Sequence, residues 1–196
     1  PSRESPGTPA VQFGLAAWLE YRRLATPFVR RLSILQRRSL KMRQIQVGDQ
    51  APDFEWALPT GERIQVSDFL HKKVVVLFFY PRDESPVCTL EACAFRDAYD
   101  QFVEAGAVVI GISGDSAESH TEFATRHALP FYLVSDRDNL IRKAFGVPRT
   151  LGLLPGRVTY VIDTNGAVRL VFSAQLAADR HVTEALRVIR ELARPA

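Results

Sequence analysis

Apolar and polar positions fall into blocks along this chain, and each block predicts an element. The longest uninterrupted apolar run is VVVLFFY at residues 74–80, β-branched and aromatic, and it is closed by Pro81. A second run, AVVIGIS, occupies residues 107–113. Short runs with no polar face predict strands buried on both sides. Between them, residues 88–104 repeat apolar positions at helical spacing through Ala92, Phe95, Tyr99, Phe102 and Val103. Strand, helix and strand in this order form a βαβ crossover, which makes the two strands parallel. Downstream the pattern predicts a helix over 118–127, a strand over 131–134 and a short helix over 139–145 ended by Gly146. Strands at 158–162 and 167–172 flank Asp163-Thr164-Asn165-Gly166, an Asn-Gly hairpin signal. The last helix covers 178–192, with apolar residues on one stripe. Upstream, 53–58 and 63–66 flank Pro59-Thr60-Gly61 as another hairpin. The expected fold class is α/β: a mixed central sheet flanked by helices, with an N-terminal β-hairpin.

Charge divides the chain. Residues 1–46 carry nine basic and two acidic side chains, a net +7. The whole chain is +3, so residues 47–196 are −4 and the basic pI belongs to the extension. The expected organisation is a basic extension at 1–46 and one domain of ordinary size at 47–196. The extension opens in Ser, Pro, Gly and Thr, a composition that favours disorder. It then repeats apolar residues at Leu15, Trp18 and Leu19, and at Phe28, Leu32 and Leu35, the spacing of two short basic amphipathic helices. Thr26-Pro27 reads as the cap and first residue of the second helix. Three readings of the extension are open. It is an organelle transit peptide, Arg-rich and acid-poor. It is a pair of helices for a membrane surface or an anion. Or it has no function, and the chain begins in effect at Met42, its one methionine. The corresponding location is cytoplasmic, or the plastid if the first reading holds. No apolar run approaches the roughly 20 residues of a membrane-spanning helix.

Two cysteines, Cys88 and Cys93, exclude a disulfide-stapled miniprotein, a four-cysteine zinc site and a four-thiolate iron–sulfur cluster. They sit where a polar loop follows a buried strand and a helix begins. Ser85 suits the N-cap and Pro86 the first helical position, so Cys88 falls near the third position of the first turn. Unpaired backbone N–H groups and the helix dipole favour an anion there, and such placement favours the thiolate, the reactive form. The loop lies at the carboxyl end of a parallel strand, where α/β proteins place their sites. The alternative is a small buried cysteine of packing value alone. In an intact helix, residues five apart have Cα atoms about 8–9 Å and about 140° apart. A disulfide needs about 7 Å or less with converging side chains. The two cysteines therefore never bridge, or the first turns of the helix unwind. Four histidines, His71, His120, His127 and His181, show no ligand spacing and read as solvated side chains. Gly111 and Gly114 after the second strand do not make a dinucleotide fingerprint.

The stretch Phe79-Tyr80-Pro81, Ser85-Pro86-x-Cys88-Thr89-x-Glu91-x-Cys93-x-Phe95-Arg96-Asp97 resembles the active-site segment of peroxiredoxins. It is most similar to the bacterioferritin comigratory protein, or peroxiredoxin Q, subgroup. Val47-Gly48-Asp49-x-Ala51-Pro52-Asp53-Phe54 is similar to the start of that family's domain. Leu154-Pro155-Gly156-Arg157-x-Thr159-Tyr160-Val161-Ile162-Asp163 resembles its plant and cyanobacterial branch. The resemblance covers residues 46–193 and none of the extension. It implies a thioredoxin-like fold and a thiol-dependent peroxidase without metal or cofactor. It implies Cys88 as the peroxidatic cysteine and Cys93 as the resolving one, joined in an intramolecular disulfide that a thioredoxin-type reductant recycles. It implies Arg157 as a fixed positive charge beside the thiolate, Ser85 as the hydroxyl that hydrogen-bonds the peroxide, and Pro81 as a shield against water. The family more often has Thr at position 85. Glu91, one turn after Cys88, either orients Arg157 or is an exposed first-turn acid. An intramolecular pair needs no partner subunit, so a monomer without a nucleic-acid partner is expected. The competing readings are a thiol–disulfide oxidoreductase without peroxidase activity, which the spacing counts against, and a peripheral membrane- or anion-binding protein acting through the extension.

Overall fold

The computed structural model describes residues 43–57, 63–150 and 154–193. The helices expected at 15–35 lie outside the described residues, and so does the tip of the first hairpin at 58–62. That hairpin pairs β1 (Glu55–Ala57) antiparallel with β2 (Arg63–Gln65). A 3-10 turn at Val66–Phe69 leads into β3 (Val74–Phe79). Then follow α1 (Pro86–Asp97), α2 (Tyr99–Glu104), β4 (Ala107–Ser113), α3 (Ala117–His127), β5 (Tyr132–Ser135) and α4 (Leu140–Ala144). The chain closes with β6 (Arg149–Thr150), β7 (Leu154–Pro155), β8 (Val158–Ile162), β9 (Val168–Ser173) and α5 (Ala178–Leu192).

Five strands form one sheet in the order β5-β4-β3-β8-β9. β3 is parallel to β4, β4 is parallel to β5, and β8 is antiparallel to both β3 and β9. The sheet is therefore mixed, as the order of elements predicts. Every residue of β3 and β4 is buried, which explains their lack of a polar face. Val74, Val76 and Phe78 face one layer of core with α1, α2, α3 and α5; Val75, Leu77 and Phe79 face the other with the hairpin and Phe145. Gly111 lies in β4 because Phe78 and Leu133 fill its place. A Cβ there would sit 2.6 Å from Phe78 Cζ and 2.7 Å from Leu133 Cδ2.

The single helix expected over 88–104 is two helices. The backbone leaves helical values at Ala98 (φ −100°, ψ 5°), which caps α1 and starts α2. Apolar periodicity continues across this break, so the pattern alone reads as one helix. The antiparallel pair β6–β7 was not expected from the sequence; at two residues a strand, it is too short to leave a pattern.

Candidate active site

The β3–β8 register assembles the site. Phe79 pairs with Val158, so the chain leaving β3 and the chain entering β8 are neighbours. Alternation along β8 places Arg157, Thr159 and Val161 on one side of the sheet, toward α1 and α5. Arg142 of α4 fixes this junction. Its guanidinium donates to Tyr80 O at 2.9 Å and to Gly156 O at 2.8 Å, and lies 5.5 Å over the Phe79 ring. One buried cation thus ties the residue before Pro81 to the residue before Arg157.

The loop from Pro81 to Ser85 then turns into α1. Pro81 is half-buried, two residues past the end of β3. Ser85 is the N-cap with extended backbone, and Pro86 is the first helical residue, as expected. The Ser85 hydroxyl caps no amide, however; it donates back to Arg82 O at 3.1 Å. Cys88 is third in the helix and fully buried, while Cys93 on the same helix is half-buried; both thiols are free. Asp83 anchors the loop from within. It accepts from Tyr80 Oη at 2.7 Å, Ser119 Oγ at 2.7 Å and His120 Nδ1 at 2.9 Å, while its own amide donates to Asp115 at 2.8 Å.

Arg157 reaches the sulfur. Its Nη2 donates to Cys88 Sγ at 3.2 Å, its Nη1 to Glu91 Oε2, and its Nε to Gln175 O at 3.2 Å. Arg157 is 2% exposed and Glu91 0%, so both are interior groups. Glu91 is therefore no exposed first-turn acid. Burial pushes its carboxyl up to about 8, against the pull of Arg157. Behind Glu91 stands His181 of α5, fully buried, with Nδ1 3.5 Å from Glu91 Oε1.

The expectation of solvated histidines fails for His120 and His181, which are 4% and 0% exposed. His181 falls in step with Ala178, Val182, Ala185, Leu186 and Ile189, the buried stripe of α5. That stripe was the signal available in the sequence. Arg142 and Asp83 left a weaker one, since a lone charge in a short helix or loop is usually solvated. Among the described residues, no group of three or more His, Cys, Asp or Glu side chains is placed to hold a metal ion.

Residues 47–171 match the AhpC/TSA family. The chain is 49% identical over 150 residues to the chloroplastic peroxiredoxin Q of Sedum lineare, covering 76% of this chain and 80% of that protein. The chain belongs to the AhpC/TSA family, in its peroxiredoxin Q subgroup. The chloroplastic peroxiredoxin Q of Oryza sativa subsp. japonica is 47% identical over 150 residues, 76% of this chain and 69% of its own. Among solved structures, the peroxidoxin BcpB of Mycobacterium tuberculosis matches with a TM-score of 0.70 at 37% identity, over 78% of this chain and 100% of that one. The fold is thus the thioredoxin-like fold of this family. The bacterioferritin comigratory protein of Xanthomonas campestris, described for its alkyl peroxide reduction, matches at 27% identity with a TM-score of 0.64, over 72% and 92% of the two chains. As a peroxiredoxin Q, the chain is a thiol peroxidase of the atypical two-cysteine type, reducing peroxides with two cysteines and recycled by thioredoxin.

Proposed function

We propose that Cys88 is the peroxidatic cysteine and Cys93 the resolving one. The observation that carries this reading is the Arg157 guanidinium 3.2 Å from a buried sulfur in the first turn of α1. The Cys88 thiolate attacks one oxygen of the hydroperoxide. An S–O bond forms, the O–O bond breaks, and the departing oxygen takes a proton to leave as water or an alcohol. Arg157 faces the charge that moves from sulfur to oxygen. Ser85 supplies a hydroxyl to the peroxide, and Pro81 excludes water. The first turns of α1 then unwind. The Cys93 thiolate attacks the sulfenic sulfur, hydroxide leaves as water on protonation, and a disulfide remains. A thioredoxin-type dithiol reduces it by exchange. The whole cycle needs one chain, which supports a monomer; sedimentation analysis tests that.

Stopped-flow mixing of the reduced protein with hydrogen peroxide tests the assignment. Cys88→Ser should consume no peroxide, and Cys93→Ser should react once without turning over with thioredoxin. Wild-type consumption by Cys88→Ser would overturn the first role, and steady turnover by Cys93→Ser the second.

The plastid is the location we infer. The Arg-rich, acid-poor composition of residues 1–46 and the chloroplastic relatives support it over the cytoplasm. Residues 1–46 fused to a fluorescent protein should direct it to plastids, and a diffuse cytoplasmic signal would contradict the inference.

A further inference from the structure

His181 takes no part in the peroxide chemistry itself, yet it is buried against the back of the site. Its tautomer follows from its partners. Nε2 lies 2.8 Å from Ala174 O, a group that can only accept, so Nε2 carries the proton. Burial among apolar groups, with Arg157 and Arg180 nearby, holds the ring down to about 4, so it is neutral at physiological pH. Nδ1 is then a bare lone pair. Thr159 Oγ1, 2.7 Å away, donates to it. Glu91 Oε1 faces this same lone pair at 3.5 Å and accepts no hydrogen bond among the described residues. An ionised carboxylate would set negative charge against a lone pair in a dry interior. A proton on Oε1 removes that conflict and leaves Oε2 to accept from Arg157.

We propose that His181 holds Glu91 as a neutral carboxylic acid, with Thr159 as a competing donor to the same lone pair, so that the charge of Arg157 is kept for the Cys88 sulfur. His181 is a positioning residue, acting on the reacting atom through Glu91 and Arg157. Among the described residues, the charged and titratable groups facing Glu91 are Arg157 just before β8 and His181 from α5, and Arg157 in turn meets Cys88 on the helix of Glu91. Arg180 adds a cation on the outer side of this layer, 5.2 Å over the Phe172 ring that packs edge-on against His181. When Glu91 ionises it neutralises Arg157, and the sulfur loses its partner charge. The inference rests on Cys88 being the peroxide-reactive thiol.

The test follows the second-order rate of the first oxidation by hydrogen peroxide, in the Cys93→Ser full-length protein, across the pH range. The rate should fall about tenfold on the alkaline side, with a midpoint near pH 8 where Glu91 ionises. Glu91→Gln has nothing to ionise there, and the fall should vanish. His181→Phe removes the lone pair, and the midpoint should move down by about one pH unit, the worth of one hydrogen bond. Thr159→Val is near-isosteric and frees the lone pair for Glu91, so the midpoint should move up. A purely structural role for His181 would lower rates at every pH without moving the midpoint. If His181→Phe fails to fold, Thr159→Val and Glu91→Gln still decide. A fall that persists in Glu91→Gln, or midpoints unmoved in both His181→Phe and Thr159→Val, would overturn the proposal. Loss of reaction in Cys88→Ser with unmoved midpoints sinks this inference alone, whereas a Cys88→Ser protein that reacts normally sinks the Cys88 assignment instead.

Discussion

Two carboxyl groups in this domain are buried beside histidines, and they meet opposite fates. Asp83 has three side-chain donors within 2.9 Å, from Tyr80, Ser119 and His120. Burial pushes it upward, but the hydrogen bonds from His120, Ser119 and Tyr80 outweigh that and hold it below the usual carboxylate range. Among the described residues Glu91 has one donor, Arg157, and an oxygen turned toward the unprotonated nitrogen of His181. Its carboxyl rises to about 8. A neighbouring histidine therefore does not by itself decide a carboxyl's charge. The number of donors, and whether the imidazole nitrogen that faces it carries the proton, decide. Asp83 spends its charge on fixing the loop between Pro81 and Ser85. Glu91 withholds its charge so that Arg157 can face the sulfur.

Arg157 serves only the Glu91 side. Arg157→Leu should slow the first reaction with peroxide by about 10²–10³-fold, the worth of one preorganised cationic donor. Stopped-flow rates would check it, and a loss under threefold would remove Arg157 from the reaction. Asp83→Asn strikes the other side. It leaves hydroxyl and imidazole donors short of acceptors and should cost about 2 kcal/mol of stability in urea unfolding.

Stability against pH separates the two carboxyls next. Glu91 is held above its unfolded value of 4.5, so its contribution is complete below pH 4.5 and is lost as the pH rises through about 8. Asp83 is held below its unfolded value of 3.8, so its contribution is present above pH 3.8 and is lost as the pH falls through its lower folded value. Thermal midpoints measured from pH 2 to pH 10 should therefore flatten between about pH 4.5 and 8 in Glu91→Gln and below pH 3.8 in Asp83→Asn. The reverse pattern would show the charge states to be misassigned. The smallest effect belongs to Ser85→Thr. A methyl that restricts the hydroxyl's rotamer should raise the rate by about twofold.

Much of this was legible in the sequence. The all-apolar runs became the two fully buried strands, and Ser85-Pro86 marked the helix start that places Cys88. The resemblance pointed to Arg157, but the reason for its position is the pairing of Phe79 with Val158, which no local pattern states. His181 was legible in principle, since it falls on the apolar stripe of α5, and a histidine in step with Ala178, Ala185 and Ile189 is a buried one. Its partner was not, because Glu91 and His181 are 90 residues apart and meet only when α1 and α5 pack on the same side of the sheet. Arg142 was hidden for the same reason: its acceptors are carbonyls, and carbonyls leave no trace in a sequence.

In the cycle we propose, peroxide oxidises the sulfur that Arg157 faces. Treating Cys93→Ser with one equivalent of hydrogen peroxide in the presence of a sulfenic-acid trap, then mapping the adduct by mass spectrometry, tests it directly. One adduct is expected, on the peptide carrying Cys88, and none in Cys88→Ser. An unlabelled Cys88, with the peroxide still consumed, would contradict it.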